Sequence, residues 1–212
     1  PVSDIYVQNG QGTERISWDG ESSEGILNAI PEINDAGDIV WTRFDFCQRP
    51  WASTIQLYRD GLIRQISEGD EYEPNIPAIS ECGVAAWGSN DLFFTHDWLF
   101  TWHDGVRTML SDWGSHPRIN CRGDVYFIRW HGDIGAWQAW YYTSGRLYHL
   151  SEELPYWNTD GDINEAGEAV WPLGMHPTGD ILMLKKTQAK RPRTENRNSR
   201  HNASRVERAT YP

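Results

Sequence analysis

The chain has 212 residues, 39% of them hydrophobic, with a formal net charge of −11. No apolar run is long enough for a membrane-spanning helix, and the length allows one sizeable core or a repeat array with a continuous one. Twelve tryptophans and nine tyrosines are the unusual feature, suited equally to strands and to broad binding surfaces.

The chain opens on Pro1-Val2-Ser3-Asp4, with neither an initiator methionine nor a basic-then-apolar leader. It therefore reads as a processed product, an excised domain or a fragment. Ile5-Tyr6-Val7, Gly12 and Ile16 then form a loose copy of a hairpin that recurs downstream. Four turns come next, in order: Ile33-Asn34-Asp35-Ala36-Gly37, Ile79-Ser80-Glu81-Cys82-Gly83, Ile119-Asn120-Cys121-Arg122-Gly123 and Ile163-Asn164-Glu165-Ala166-Gly167. Four residues after each glycine stands an aromatic: Trp41, Trp87, Phe127 and Trp171.

Between these turns lies a second motif, an alternating run broken by a turn pair. Ile55-Gln56-Leu57-Tyr58 meets Asp60-Gly61, Leu99 to Trp102 meets Asp104-Gly105, and Trp140-Tyr141-Tyr142 meets Ser144-Gly145. Such pairs accept the positive φ of a tight hairpin turn. Each period of about 40–46 residues thus holds four short strands, the arrangement of a propeller blade. The predicted fold is an all-β propeller of about four antiparallel four-stranded repeats. It is either closed with four blades or part of a larger ring. Asp180 to Leu184 begins a third strand for which the sequence offers no successor, which favours the larger ring.

The halves PEINDAGDIVW (31–41) and IQLYRDGLIRQI (55–66) resemble the repeats of bacterial TolB-like propellers, over roughly residues 4 to 184. The resemblance implies a bacterial scaffold, exported to the periplasm or cell surface, that binds proteins or polysaccharides. It implies no particular activity, because propellers serve many functions.

Composition changes beyond Leu184. Residues 1–184 carry a net charge of −18 and residues 185–212 one of +7, with Tyr211 as the only aromatic of that tail. The domain reading is accordingly a repeat domain over 1–184 and a basic, disordered tail over 185–212. Nucleic acid is not expected as a partner, since the acidic body would repel a polyanion. Unpaired sheet edges would instead favour self-association.

Catalytic motifs are missing: no His-Glu-x-x-His, no Gly-x-Ser-x-Gly and no phosphate-cradling loop occurs. Asp160, Asp162 and Asn164 form a weak calcium-loop candidate. Tyr156 and Gly167 stand where its flanking acids should be, so no metal or other cofactor is expected. Cys47, Cys82 and Cys121 match neither a zinc site nor a disulfide scaffold. Three half-buried thiols are expected, with one disulfide plus a third thiol as the alternative.

Tryptophans remain as ligand-binding candidates. Trp41, Trp87 and Trp171 read as core, whereas Trp113 and Trp157 fall in loops after the hairpins, with Trp102 and Trp140 nearby. An exposed indole can stack on a sugar or anchor a protein interface. The expected function is a non-catalytic scaffold binding a protein or polysaccharide through loops at one end of the ring. A glycan-active enzyme using carboxylates of the acidic loops (Glu21, Glu24, Glu68, Asp70, Glu71) is the alternative, then a structural fragment with no activity of its own.

Overall fold

In the computed structural model the described residues are 3–10, 12–17, 25–47, 52–68, 74–90, 97–133, 135–154, 161–172, 181–185 and 205–209. They form strands and turns only, and no helix among them is long and apolar enough to cross a membrane.

The N-terminal hairpin consists of β1 (Tyr6–Asn9) and β2 (Gly12–Arg15). Blade 1 comes next as β3 (Ile26–Ile33), β4 (Ile39–Asp45), β5 (Ala52–Arg59) and β6 (Leu62–Gln65). Blade 2 is β7 (Pro74–Ile79), β8 (Ala85–Asn90), β9 (Asp97–His103) and β10 (Val106–Ser111). Blade 3 is β11 (Ser115–Ile119), β12 (Val125–His131), β13 (Ala136–Thr143) and β14 (Arg146–Leu154). Blade 4 is β15 (Asp162–Ile163), β16 (Ala169–Pro172), β17 (Ile181–Lys185) and β18 (Arg205–Ala209).

Each blade is an antiparallel sheet whose spatial order equals its chain order. The first strands β3, β7, β11 and β15 face one another in succession, so they form the inner wall. The fourth strands β6 and β10 lie outside, where Leu62 and Val106 are exposed. All the Ile-x-x-x-Gly turns and Asp-Gly hairpins consequently share one end of the blades. The ends of the second and fourth strands lie at the other.

The turn chemistry is as the sequence indicates. Asp60, Asp104 and Ser144 adopt φ near +50° beside glycines at positive φ. The predicted core residues Trp41, Trp87, Phe127 and Trp171 are buried to 1% exposure or less, and each packs between its own blade and a neighbour. The N-terminal hairpin repeats the outer half of a blade down to single bonds. Ile5 N–H donates to Ser17 Oγ (2.7 Å) as Ile55 N–H does to Ser67 Oγ (2.8 Å). Ile5 and Ile16 cover Trp41 just as Ile55 and Ile66 cover Trp87.

Ring closure would have joined Ile5–Val7 to the sheet of Val170–Trp171. Instead β1 pairs with β2, and the last sheet already holds four strands. Among the described residues the sheets do not close into a four-bladed ring, which leaves room for the other architecture expected, part of a larger ring. The fourth strand of blade 4 is one that sequence reading did not place: Arg205–Ala209, within the basic segment, pairs with Ile181–Lys185. An outermost strand needs backbone bonds on one edge only and tolerates charge, so low hydrophobicity is no bar to it.

Candidate functional site

In blades 1 to 3 the inner strand carries the same irregularity. Ile30, Ile76 and His116, each preceding a proline, hold φ between 45° and 56°. The register slips at each of these points. Positive φ is costly for a side chain of this size, and a bulge re-aims the side chains beyond it. Two residues on, the strands place Glu32, Ala78, Arg118 and, at the matching position of blade 4, Asp162 around one cavity.

That cavity has a volume of about 480 Å³ and is walled by the four inner strands near their turn end. Arg118 Nη1 reaches Glu32 Oε1 at 3.0 Å, an ion pair between blades 1 and 3. It passes the inner strand of blade 2, where the small Ala78 occupies the equivalent position. Both charged side chains keep about a third of their surface exposed, so the pair adds little stability. Burial pushes the Glu32 carboxyl above the usual range, Arg118 and the Ile79 backbone pull it down, and Asp162 pushes it further up.

A carboxyl so shifted binds its proton more tightly in the folded protein. It therefore contributes stability at low pH that disappears as pH rises through its folded-state pKa. Glu32→Gln has no such titration. Wild-type Tm is expected to fall relative to the variant as pH rises from about 4, which melting curves of the two proteins between pH 4 and 7 would check.

The turns that border the cavity also clip neighbouring blades together. Between blades 1 and 2, Asn34 Nδ2 donates to Ser80 O (3.0 Å) and Asp35 N–H to Glu81 Oε2 (2.8 Å). Arg59 pairs with Asp38 at 2.8 Å while donating to Gly83 O at 2.9 Å. A Cβ on Gly83 would fall on that guanidinium, so glycine serves the close approach as well as its φ of +72°. Between blades 3 and 4, Asn120 Nδ2 donates to Asn164 O (3.1 Å) and Cys121 N–H to Glu165 Oε2 (2.9 Å). Arg122, paired with Asp124 at 2.9 Å, crowds Gly167 in the same way.

The tryptophans proposed from sequence divide. Trp113 and Trp140 meet across Arg129, whose Cζ lies 4.9 Å from the first ring and 5.7 Å from the second. Trp140 also stacks on the exposed ring of His149 at 4.6 Å. Arg129 Nε and Trp140 Nε1 are buried donors with no acceptor among the described residues. Trp102 is only 9% exposed, in the core between blades 1 and 2, with Arg59 over its ring. Trp157 lies outside the described residues, as does Asp160.

Of the calcium-loop candidates, Asp162 lines the cavity and accepts the Ile163 N–H at 2.8 Å. Asn164 closes its own turn, bonding Glu168 through both ends of its amide. Among the acidic-loop carboxylates, Glu68 pairs with Arg107 at 2.7 Å, and the other four lie outside the described residues. Sequence reading missed Glu32 and Arg118. Their signal was present: one column of the repeat reads Glu, Ala, Arg, Asp beside an isoleucine that never changes. A column that varies in charge beside an invariant isoleucine is not held to one packing role, although its alanine, Ala78, is buried in the core.

Cys82 and Cys121 form a disulfide, Cα atoms 5.1 Å apart, with Cys47 exposed and outside it. The expected three thiols give way to the alternative, because the two turns face each other across a blade junction, a proximity that spacing cannot show.

Four-stranded meander blades set side by side around a common inner wall define a β-propeller fold. Neither a protein-family model nor a curated protein sequence matches the chain. Among solved structures it is similar to TolB from Acinetobacter baumannii, with a TM-score of 0.53 at 14% identity, covering 95% of this chain and 46% of that one. It is also similar to the β-propeller domain of the trilobed protease from Pyrococcus furiosus, whose topology is an open velcro. There the TM-score is 0.55 at 8% identity, covering 89% of this chain and 58% of the other. The fold is thus that of a TolB-like propeller, of which this chain spans about half the length.

Proposed function

We propose that the chain is a non-catalytic propeller scaffold that holds a segment of a partner protein in the cavity between its blades. The observation that carries this reading is the convergence of Glu32, Arg118 and Asp162 there from one variable column of the repeat. About 480 Å³ accommodates a few side chains of an inserted segment, not a folded domain. Opposite charges side by side offer partners to both an amine and a carboxylate. Arg118→Glu is expected to weaken capture of peptides from a displayed library roughly tenfold or more. Peptide binding indifferent to both Arg118→Glu and Glu32→Arg would defeat the proposal.

Polysaccharide is the second ligand class, favoured by the stacked Trp113, Arg129, Trp140 and His149 at the other end of blade 3. Glycan-array binding lost in Trp113→Ala but kept in Arg118→Glu would support it. The enzyme alternative draws on Glu32, a carboxyl whose affinity for its proton is raised by burial and, to a lesser degree, by Asp162. Polysaccharide turnover abolished by Glu32→Gln would replace the scaffold reading with that one. The Cys82–Cys121 disulfide supports export to an oxidising compartment, the periplasm or cell surface. Self-association through the β1 edge, which has no strand but β2 beside it among the described pairings, belongs to the same proposal.

A further inference from the structure

The junction of blades 2 and 3 has none of the groups that clip the other two. Ser80 stands where Asn34 and Asn120 stand, and its Oγ is occupied within its own turn, accepting the Val84 N–H at 3.0 Å. Val84 replaces the aspartates Asp38 and Asp124 that hold an arginine. Cys121 replaces the glutamates Glu81 and Glu165 that accept a backbone N–H from the preceding turn. A Cβ on Gly123 would meet nothing within 4 Å, whereas Gly83 and Gly167 are each crowded by a guanidinium. At this junction alone among the described residues the turns are joined covalently, Cys82 to Cys121.

We propose that the disulfide is a redox-dependent latch that does at this junction what the Asn–Glu–Arg clip does at the others. Ser80, Glu81, Arg118 and Ile119, which flank the two cysteines, also line the cavity. Reduction therefore removes the covalent tie between two of the cavity's walls and leaves their shared apolar core to hold them, so the wall geometry depends on the redox state of the surroundings. The inference does not depend on what the cavity binds.

Dithiothreitol supplies two electrons and two protons, splits the S–S bond into two thiols, and becomes its own cyclic disulfide. In the full chain, reduction is expected to lower Tm by roughly 4–16 °C. Amide exchange should quicken about tenfold or more at Gly83 and Gly123, with Gly37 and Gly167 as internal references. Cys82→Ala/Cys121→Ala should behave like the reduced protein.

A triple variant, Ser80→Asn/Cys82→Ala/Cys121→Glu, rebuilds the Asn and Glu part of the clip, leaving Val84 where the other junctions have an aspartate holding an arginine. It should recover at least half the lost Tm and ignore dithiothreitol. An unchanged Tm and unchanged exchange on reduction would overturn the latch, as would equal acceleration at all four glycines. A folded triple variant that exchanges like the double alanine variant would overturn the equivalence. If the double variant fails to fold, dithiothreitol titration of the wild type gives the same reading.

Discussion

Trp87→Ala is expected to destabilise the protein by about 3–5 kcal/mol, the range for deleting a large buried aromatic. Trp87 has no exposed surface and belongs to a core that draws Val40, Ile55 and Leu57 from blade 1 and Ala85 and Phe100 from blade 2. Its ring stacks on Phe100 at 5.9 Å. The void left by alanine would open at the junction itself, so the loss falls on the coupling between blades as well as on blade 2. Chemical denaturation should show a lower midpoint and, if blades 1 and 2 uncouple, a broader transition. Trp87→Phe should cost much less, because blade 3 already uses phenylalanine at this position. There Phe127 meets Gly114, where even a methyl group would come within 2.8 Å of the ring. A loss below about 1 kcal/mol for Trp87→Ala would mean that the blades are not packed through these aromatics.

Asp124→Ala is the second large effect, about 1–3 kcal/mol, the cost of leaving buried hydrogen-bond donors without their acceptor. The residue is 3% exposed and accepts from Asn120 Nδ2 (3.3 Å), Arg122 Nε (3.1 Å) and Thr143 Oγ1. Removing it strands the buried Asn120 and Thr143 donors and leaves the half-exposed Arg122 to solvent at the clip between blades 3 and 4. Burial, then the charge of Asp124, also pushes the Tyr141 hydroxyl well above its ordinary range. That hydroxyl donates to Gly167 O at 3.1 Å across the same junction. Asp124→Asn keeps the shape and part of the acceptor capacity and should lose less than alanine. Denaturation midpoints of the two variants, with faster amide exchange at Gly167 in Asp124→Ala, would check this. Equal losses for asparagine and alanine would show that the carboxylate's second oxygen and charge carry the whole effect.

Both sites stand at junctions, yet they are not equally visible in the sequence. Trp87 is legible because the repeat places an aromatic four residues after each turn glycine, and local spacing is something a sequence records directly. Asp124 is not, since its partners Thr143 and Tyr141 arrive from another strand. Trp113 and Trp140 read as surface aromatics, and folding engages both with Arg129. Trp102 reads the same way and lies in the core, because period-two alternation tells which residues share a face but not which face a neighbouring blade covers.

Sequence alone determined the blade: four strands, the Asn-x-x-Gly turn, the Asp-Gly hairpin and the buried aromatic. All of these arise from backbone preferences and alternation within about 46 residues. Tertiary structure decided what lies between blades and what completes blade 4. It paired Arg205–Ala209 with a strand 20 residues earlier in the chain, left the N-terminal hairpin outside the last sheet, and brought Glu32 and Arg118 together across an intervening blade. It also put a disulfide where the polar clip is missing. Apart from the strand that completes blade 4, those are contacts between repeats, and a repeat specifies its own interior far more tightly than the register of its neighbours.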